Sequence, residues 1–332
     1  MENDKVLITG GAGFIGSNLA EKLVMSGQNV VAYDNLSSGS SANLRALQKD
    51  PRFELVQGDI LDEELLTKSL EGCSTVFHLA ASRDVRVGAL NTGVDFRQNL
   101  VGTRSLLECM RRSKDCTRLV FASTSTVYGE PRDIPTPETF GPLQPLSLYG
   151  ASKLGCEAII SAYSHLFGLI CVTCRLANVV GPRCNHGIVY DLLKKLLTGS
   201  RDLEVLGDGT QRKSYLYVDD CIDALVMFCG WNQGGLETFN VGSLDAVEVH
   251  DIVSIVKTVA SPGYGVSESY IDHGDGRGWP GDVKSMLLDC KKIASLGWSP
   301  KRTSSEAVET AAREILNSWE SSQSLTAMLA RA

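Results

Sequence analysis

Tyr149 and Lys153 place a phenol and an ammonium four residues apart in the segment Tyr149-Gly150-Ala151-Ser152-Lys153. On a helix this spacing puts both side chains on one face, about one turn apart. A free tyrosine has a pKa near ~10, and a neighbouring cation lowers that pKa by roughly one to three units. Tyr149 could then take a proton from a sugar or alcohol hydroxyl. The same spacing also fits a surface tyrosine beside a surface lysine. The surrounding sequence must therefore distinguish a catalytic pair from two surface residues.

A glycine-rich segment at residues 10–16 follows a strand that the pattern predicts at residues 5–9, and a helix with regularly spaced apolar positions comes next. Glycines allow a tight turn and let the backbone approach a pyrophosphate, while the helix N-terminus offers free N–H groups to the phosphates. This order of elements predicts a dinucleotide site. The residues of the segment that we expect to contact the cofactor are Gly10, Gly13, Phe14, Ile15 and Gly16.

An acidic residue closes the second predicted strand, which covers residues 29–33 and is followed by Asp34. A carboxylate at this point accepts hydrogen bonds from the adenosine ribose hydroxyls and repels a 2′-phosphate. We therefore expect NAD rather than NADP as the cofactor.

Composition favours a globular enzyme. With 332 residues, 43% hydrophobic and 21% charged, the chain can bury a full core, and we expect one compact unit of two lobes. The net charge of −7 argues against general nucleic-acid affinity. We expect no signal peptide and no membrane span. Ten scattered cysteines suit reduced thiols in the cytoplasm, and Cys171 and Cys174 are predicted to be core residues rather than a metal or redox site.

Strands and helices alternate through the first half of the chain, which predicts a doubly wound α/β fold with a parallel sheet. The further strands are predicted at residues 53–56, 75–81, 118–122 and 169–174, with helices near 94–112 and 149–167. His78, at a strand end beside apolar residues, is predicted to be structural.

A run of hydroxyl side chains, Ser123-Thr124-Ser125-Thr126, follows the predicted strand at residues 118–122. It reaches the same sheet edge as the glycine segment, where ligands bind in open α/β folds. Hydroxyls there can hydrogen-bond a substrate oxygen while charge moves.

The chain resembles the extended short-chain dehydrogenase/reductases that act on nucleotide sugars, and within them the UDP-galactose (UDP-glucose) 4-epimerases. The similarity covers nearly the whole chain. Beyond the glycine segment it is carried by His78-Leu79-Ala80-Ala81, Asn99, Thr124-x-Thr126-Val127-Tyr128-Gly129, Tyr149-x-x-x-Lys153, Arg175-x-x-Asn178-x-x-Gly181-Pro182, Gly207-Asp208-Gly209-Thr210-Gln211, Tyr217-Val218-Asp219-Asp220, Asn240-Val241-Gly242 and Gly281-Asp282-Val283.

The resemblance implies a role for each matched residue. Tyr149 would be the acid and base, Lys153 would hold the nicotinamide ribose and lower the tyrosine pKa, and Thr124 would bond the sugar O4. Asp59 and Ile60 would contact the adenine. The remaining cofactor residues implied are Asp34, Asn35, Leu79, Ala80, Ala81 and Asn99, and the remaining substrate residues are Thr126, Asn178, Arg212, Lys213, Arg277, Asp282 and Met286.

The residues after Thr124 discriminate among relatives. The 4,6-dehydratases carry Thr-Asp-Glu here, and the UDP-glucuronate decarboxylases carry glutamate at the position of Thr126. This chain has no carboxylate in Thr124-Ser125-Thr126, which favours a simple epimerase.

Three departures from the family pattern affect the substrate residues. The phosphate cation expected before an aromatic residue could be Arg212 or Lys213, because the chain reads Gln211-Arg212-Lys213-Ser214-Tyr215. The expected arginine three positions before Asp282 is Trp279, and the nearest arginine is Arg277. Met286 falls where relatives admit or exclude a 2-N-acetyl group, and its intermediate, flexible side chain does not decide between them.

The resulting interpretation is an NAD-dependent UDP-hexose 4-epimerase that forms a homodimer by analogy. Its Rossmann domain would comprise residues 1–176 plus about 214–243, and a smaller mixed α/β lobe of about 177–213 plus 244–332 would bind the nucleotide sugar. UDP-N-acetylglucosamine and UDP-glucuronate stay open as substrates. A net 4-keto-sugar oxidoreductase and a non-catalytic NAD-binding regulator are the other two classes.

Overall fold

The structure is a computed structural model that describes residues 5–82, 91–261, 263, 265–272 and 274–321. The chain divides into two compact units. The first comprises Met1–Gly129, Gly141–Leu176 and Ile222–Val241, and the second Glu130–Phe140, Ala177–Cys221 and Gly242–Ala332. These bounds differ from the expected ones in two places, since residues 130–140 belong to the second unit and the return segment begins at residue 222 rather than near 214.

A seven-stranded parallel sheet forms the centre of the first unit, which confirms the doubly wound α/β fold. Strand order reverses between Lys5–Thr9 and Cys73–His78, and the carboxyl ends next to such a switch point form the usual ligand crevice. From one edge to the other the strands are Leu236–Val241, Ile170–Leu176, Arg118–Thr124, Cys73–His78, Lys5–Thr9, Asn29–Asp34 and Phe53–Gln57.

Helices cover the sheet, and they include Phe14–Met25, Glu63–Ser69, Gly102–Arg112, Leu148–Phe167 and Val218–Met227, the last of which contains the boundary between the units. Two expectations need correction. The fourth strand ends at His78 rather than at residue 81. The helix expected at residues 94–112 is three pieces, Thr92–Asp95, a π-helical turn Phe96–Val101 and Gly102–Arg112. Such π turns often mark functional sites.

The core of the first unit fills the space between the sheet and its helices. Leu7, Val76 and Phe121 of the sheet and Leu106 of the helix Gly102–Arg112 are fully buried in it, as expected where helices cover the faces of a parallel sheet. Cys171 and Cys174 are also fully buried, and the ten cysteines, all within the described ranges, are free thiols.

The second unit is a mixed α/β structure with short strands. Arg212–Lys213 pairs with Val247–Glu248 on one side and Ser285–Met286 on the other. Two further pairs join Asn178–Val180 to Tyr215–Tyr217, and Asp202–Leu206 to Ser267–Ile271. Its helices are Ile188–Leu197, Val249–Ala260, Lys291–Ala294 and Ser304–Ser321. Across the described part of the chain, every helix is too short or too polar to cross a membrane.

Candidate active site

The glycine segment forms a tight turn between the first strand and the first helix. Gly10 has a φ of 70°, and a Cβ there would lie 2.8 Å from the amide nitrogen of Ala80. A Cβ at Gly16 would collide with the carbonyl oxygen of Gly10. Both positions therefore require glycine. Gly13 begins the helix Phe14–Met25 without a side-chain cap, so the backbone N–H groups of its first turn stay available for an anion.

The carboxylate of Asp34 faces this turn from the end of the neighbouring strand. Its two oxygens accept the backbone N–H groups of Ala12, at 2.9 Å, and of Leu36, at 2.8 Å. Although Asp34 is buried, these bonds leave its charge compensated and its remaining lone pairs available. The glycine turn and the acidic residue are thus brought together, as a dinucleotide site requires.

Asn35 and Asp59 lie beside Asp34. The amide of Asn35 donates to the Asp59 carboxylate at 3.0 Å, and the Tyr33 hydroxyl donates to the Asp59 carbonyl at 2.8 Å. The side chain of Ile60 packs into the hydrophobic core rather than along this polar edge.

Leu79, Ala80 and Ala81 follow the fourth strand. Leu79 donates its N–H to the carbonyl of Thr9 at 3.1 Å, and this places the segment beside the glycine turn. Asn99 is buried in the π-helical turn, where its carbonyl accepts the N–H of Ser82 at 2.7 Å and its amide donates to Ser152 at 2.8 Å. Asn99 therefore connects the segment to the helix that carries Lys153.

His78 is structural in this arrangement, as expected from the sequence. Its ring nitrogens lie 2.7 Å from the Thr9 hydroxyl and 2.9 Å from the Thr103 hydroxyl, and the side chain is buried. Burial, and next the charge of Lys153, lower the His78 pKa to about 3. The imidazole is consequently neutral at physiological pH.

Lys153 and Tyr149 lie on the helix Leu148–Phe167, as the spacing predicts. Lys153 is buried, its ammonium donates to the Ala122 carbonyl at 2.8 Å, and burial lowers its pKa to about 8. Tyr149 is only half-buried. Its pKa is raised by burial and next by the charge of Asp95, so the expected lowering of this pKa is wrong.

Thr124 and Thr126 form a hydroxyl pair at the end of the strand Arg118–Thr124. Their hydroxyl oxygens lie 3.1 Å apart, and Thr124 caps the short helix Ser125–Tyr128 by accepting the N–H of Thr126. A Cβ at Gly150 would lie 3.0 Å from the Thr126 carbonyl. The first turn of the helix that carries Tyr149 therefore packs directly on this pair.

Lys213 and Met286 are aligned opposite each other on paired strands of the second unit. The Lys213 ammonium lies 2.5 Å from the buried Asp282 carboxylate and 5.3 Å from the centre of the Trp279 ring. Among the described residues, the Trp279 indole N–H is inaccessible to solvent and has no hydrogen-bond partner. A partly buried ion pair and an unused indole donor thus occur in one place, where a polar ligand could accept a hydrogen bond from the indole.

Arg277 is held in a different way from Lys213. Its guanidinium contacts the Glu130 carboxylate at 2.6 Å, the Asp275 carboxylate at 2.8 Å and the Asp282 carbonyl at 2.6 Å. All three of its nitrogen atoms are therefore engaged within the protein. Arg212 is exposed. Asn178 is also exposed, and its amide donates to the Ser214 carbonyl at 3.3 Å.

Two features of these sites were not predicted from the sequence: the buried contacts of Glu157, and the contact of Trp279 with Lys213. Glu157 accepts the Ser123 hydroxyl at 2.5 Å and the Arg175 guanidinium at 2.7 Å. It follows Lys153 by four residues, so extending the helical spacing by one turn would have found it. No local pattern signals the Trp279 contact, because its partner lies 66 residues earlier in the chain.

No group of three or more metal-ligating side chains is present among the residues with described positions, which span 5–82 and most of 91–321. The residues singled out above instead suit a dinucleotide and a polar, anionic substrate.

Comparison with known proteins agrees with this geometry. The family model described as GDP-mannose 4,6 dehydratase matches residues 7–311. A UDP-glucose 4-epimerase of Mycolicibacterium smegmatis is 33% identical over 309 residues, which cover 92% of this chain and 96% of that protein.

Two solved structures have the same fold. A UDP-galactose 4-epimerase is 40% identical with a TM-score of 0.83, and the match covers 95% of this chain and 99% of that one. The UDP-glucuronic acid 4-epimerase of Bacillus cereus, solved with UDP-glucuronic acid and NAD, is 30% identical with a TM-score of 0.85, over 94% of this chain and 99% of that one.

Proposed function

Because this chain belongs to the extended short-chain dehydrogenase/reductase family of nucleotide-sugar enzymes, we propose that it is an NAD-dependent UDP-hexose 4-epimerase, with UDP-glucose and UDP-galactose as its substrates. The reaction would be reversible oxidation and reduction at C4 of the sugar.

One observation carries this proposal. The turn that packs on the helix of Tyr149 carries the hydroxyls of Ser125 and Thr126 at positions where the resemblance places carboxylates in dehydratases (both positions) and decarboxylases (the second). Elimination of water needs an additional acid and base, and these hydroxyls cannot provide them at neutral pH. The hydroxyls of Thr124 and Thr126 can bond the sugar O4 during oxidation and reduction at C4, which changes no other bond of the sugar.

Tyr149 would exchange the O4 proton. Burial raises its pKa, so the phenol is protonated at neutral pH, and this is the form that donates a proton to a ketone oxygen. To act as a base, the phenol must lose its proton when the site is occupied, and the ammonium of Lys153 favours that loss if it approaches the phenol. Thr124 would donate to or accept from the same oxygen as its charge changes.

NAD fits the residues of the first unit. Gly10 and Gly16 leave a cradle that a Cβ would fill, and the Asp34 carboxylate would accept the ribose hydroxyls. When bound, NAD would supply reversible hydride acceptance for C4 of the sugar and a positive charge that would favour ionisation of the phenol. Asn35, Asp59 and Asn99 would complete the binding residues.

Lys213 is the best candidate for the diphosphate cation. Among the described residues its ammonium pairs with one carboxylate, that of Asp282, whereas Arg277 would have to give up two carboxylates to bind a phosphate. Arg212, on the same short strand, is exposed and on the opposite strand face. Asn178, Asp282 and Met286 would contribute the remaining polar and apolar contacts to the nucleotide sugar. UDP-N-acetylglucosamine is an alternative substrate, because Met286 neither clearly admits nor clearly excludes a 2-N-acetyl group, and UDP-glucuronate is a second alternative.

We also expect a homodimer in the cytoplasm, with the described free cysteines in agreement with a reducing compartment. The two units would divide the work, the first binding NAD and the second the nucleotide sugar.

Incubation of the purified protein with a panel of UDP-sugars, without added cofactor, tests the proposal. We expect UDP-glucose and UDP-galactose to interconvert, and acid treatment of the protein to release NAD. A requirement for stoichiometric NADH would establish the net oxidoreductase instead, and release of NADP alone would exclude the epimerase. Binding of NAD without turnover of any UDP-sugar would favour a regulatory protein.

A further inference from the structure

A row of polar side chains crosses three neighbouring strands of the first unit near their carboxyl ends. Ser123, Arg175 and Asn240 are in register on the strands Arg118–Thr124, Ile170–Leu176 and Leu236–Val241. All three side chains are buried. A buried polar row in a sheet needs a specific set of partners, because unpaired polar groups there are costly.

Glu157 and Tyr128 supply those partners. The Glu157 carboxylate accepts the Ser123 hydroxyl at 2.5 Å and two nitrogens of Arg175, at 2.7 and 3.0 Å. The Tyr128 hydroxyl accepts from Arg175 at 2.9 Å and donates to the side-chain carbonyl of Asn240 at 2.7 Å. The guanidinium also lies over the Tyr128 ring, 4.8 Å from its centre.

This network holds both ends of the hydroxyl-bearing turn. Ser123 immediately precedes Thr124, and Tyr128 is the last residue of the short helix Ser125–Tyr128. Thr124 and Thr126 lie between these two anchored positions. The turn can therefore shift only if a buried, charge-assisted bond breaks.

The helix Leu148–Phe167, which carries Glu157, also holds Ala122, the residue before Ser123 in the strand. Lys153 and Glu157 are four residues apart on Leu148–Phe167, and they bind the Ala122 carbonyl and the Ser123 hydroxyl, respectively. Two consecutive residues of the strand are thus fixed by two consecutive turns of the helix that carries Tyr149. A buried ion pair adds little net stability compared with apolar packing, but its bonds are directional and define one geometry.

We propose that Glu157, Arg175, Tyr128 and Asn240 are positioning residues that hold Thr124 and Thr126 in place beside the helix of Tyr149 and Lys153. The catalytic consequence of this proposal rests on the proposed function. The anchoring of the turn does not depend on the proposed function, and it is measured separately by amide hydrogen exchange.

Tyr128→Phe is the sharpest test, because it removes one hydroxyl and keeps the ring that packs on Arg175. Tyr163→Phe is the matched control, since the Tyr163 hydroxyl also donates to a carboxylate in the first unit, that of Glu108, at 2.5 Å. Both variants would be compared with the wild type, with bound cofactor, for kcat, KM and amide hydrogen exchange of residues 125–129.

For Tyr128→Phe we expect kcat to fall about tenfold, with KM unchanged within roughly twofold, because small displacements of aligned groups slow chemistry more than they weaken binding. Exchange at residues 125–129 should accelerate about tenfold, as expected for the loss of about one buried hydrogen bond. Tyr163→Phe should change neither quantity. Ser123→Ala, which removes a smaller part of the network, should reproduce the pattern with a smaller decrease.

Two results would overturn the proposal: exchange in Tyr128→Phe equal to that of the control, or faster exchange with a wild-type kcat. Inactivity of the wild type on every UDP-sugar would be a failure of the proposed function alone. In that case, faster exchange confined to Tyr128→Phe would still support anchoring of the turn.

Discussion

The ammonium of Lys153 lies 2.8 Å from the carbonyl oxygen of Ala122, two residues before Thr124. Together with the bond between Glu157 and the Ser123 hydroxyl, this bond joins the helix that carries Tyr149 to the strand that ends at Thr124. Since Lys153 and Ala122 are both buried, the two elements cannot move apart without leaving a charge and a carbonyl unpaired.

Replacement of Tyr149 with phenylalanine keeps the ring and removes only the hydroxyl. Folding and cofactor binding should persist, while turnover should fall by roughly 10²–10⁴-fold, the usual contribution of a general acid or base. Steady-state kinetics and the stoichiometry of released cofactor check both parts. Near-wild-type epimerase activity with bound NAD would mean that another residue moves the proton.

Replacement of Asp34 with asparagine should alter cofactor preference. The amide retains one oxygen that can accept the N–H of Ala12, but it loses the charge that repels a 2′-phosphate. We expect the ratio of NAD to NADP affinity to fall about tenfold or more, as measured by calorimetry on protein freed of cofactor. An unchanged ratio would show that Asp34 does not face the adenosine ribose.

Lys213→Met should raise the dissociation constant for UDP roughly 10–100-fold, because a charge-assisted bond to the diphosphate is lost. Arg212→Met is the control on the adjacent position, and its effect should stay within about twofold. Lys213→Arg keeps the positive charge and should bind UDP with most of the wild-type affinity. Comparison of the two Lys213 variants therefore shows whether the missing charge, rather than a disturbed Asp282, weakens binding. If Arg212→Met has the larger effect, the assignment of the cation is wrong.

Buried His78 should make the protein sensitive to acid. Its pKa in the folded state, about 3, lies below the unfolded value of about 6.5, so the unfolded state binds more protons between these values. The contribution of the neutral His78 to the free energy of unfolding is fully present above about pH 6.5. It decreases on acidification, by about 2 kcal/mol between about pH 7 and pH 5.

Denaturant unfolding at these two pH values, with saturating cofactor, measures that loss. His78→Gln should unfold at a lower denaturant concentration than the wild type at both pH values. Between pH 7 and pH 5, however, its free energy of unfolding should decrease by about 2 kcal/mol less than that of the wild type. His165→Gln removes an exposed histidine and should keep the wild-type difference. Equal pH dependence in all three proteins would contradict a neutral, buried imidazole.

Local sequence determined the parts of this protein whose partners are near in the chain. The turn at Gly10, the helix that carries Tyr149 and Lys153, and the alternation that produces a parallel sheet depend on backbone preferences and on spacings of a few residues. For this reason these elements could be predicted from the sequence. The end of the fourth strand and the π-helical turn could not be predicted, because competing backbone hydrogen bonds determine where a strand ends and where a helix changes its type.

Tertiary structure decided the contacts between distant residues. The Lys213–Asp282 pair is 69 residues apart, and the bond between Tyr128 and Asn240 joins residues 112 apart. The direction of the Tyr149 pKa shift was also decided there, because it is set by burial and next by the charge of Asp95, which act through space. Charge and desolvation depend on distance in the folded molecule, and sequence spacing determines that distance only within a single helix or strand.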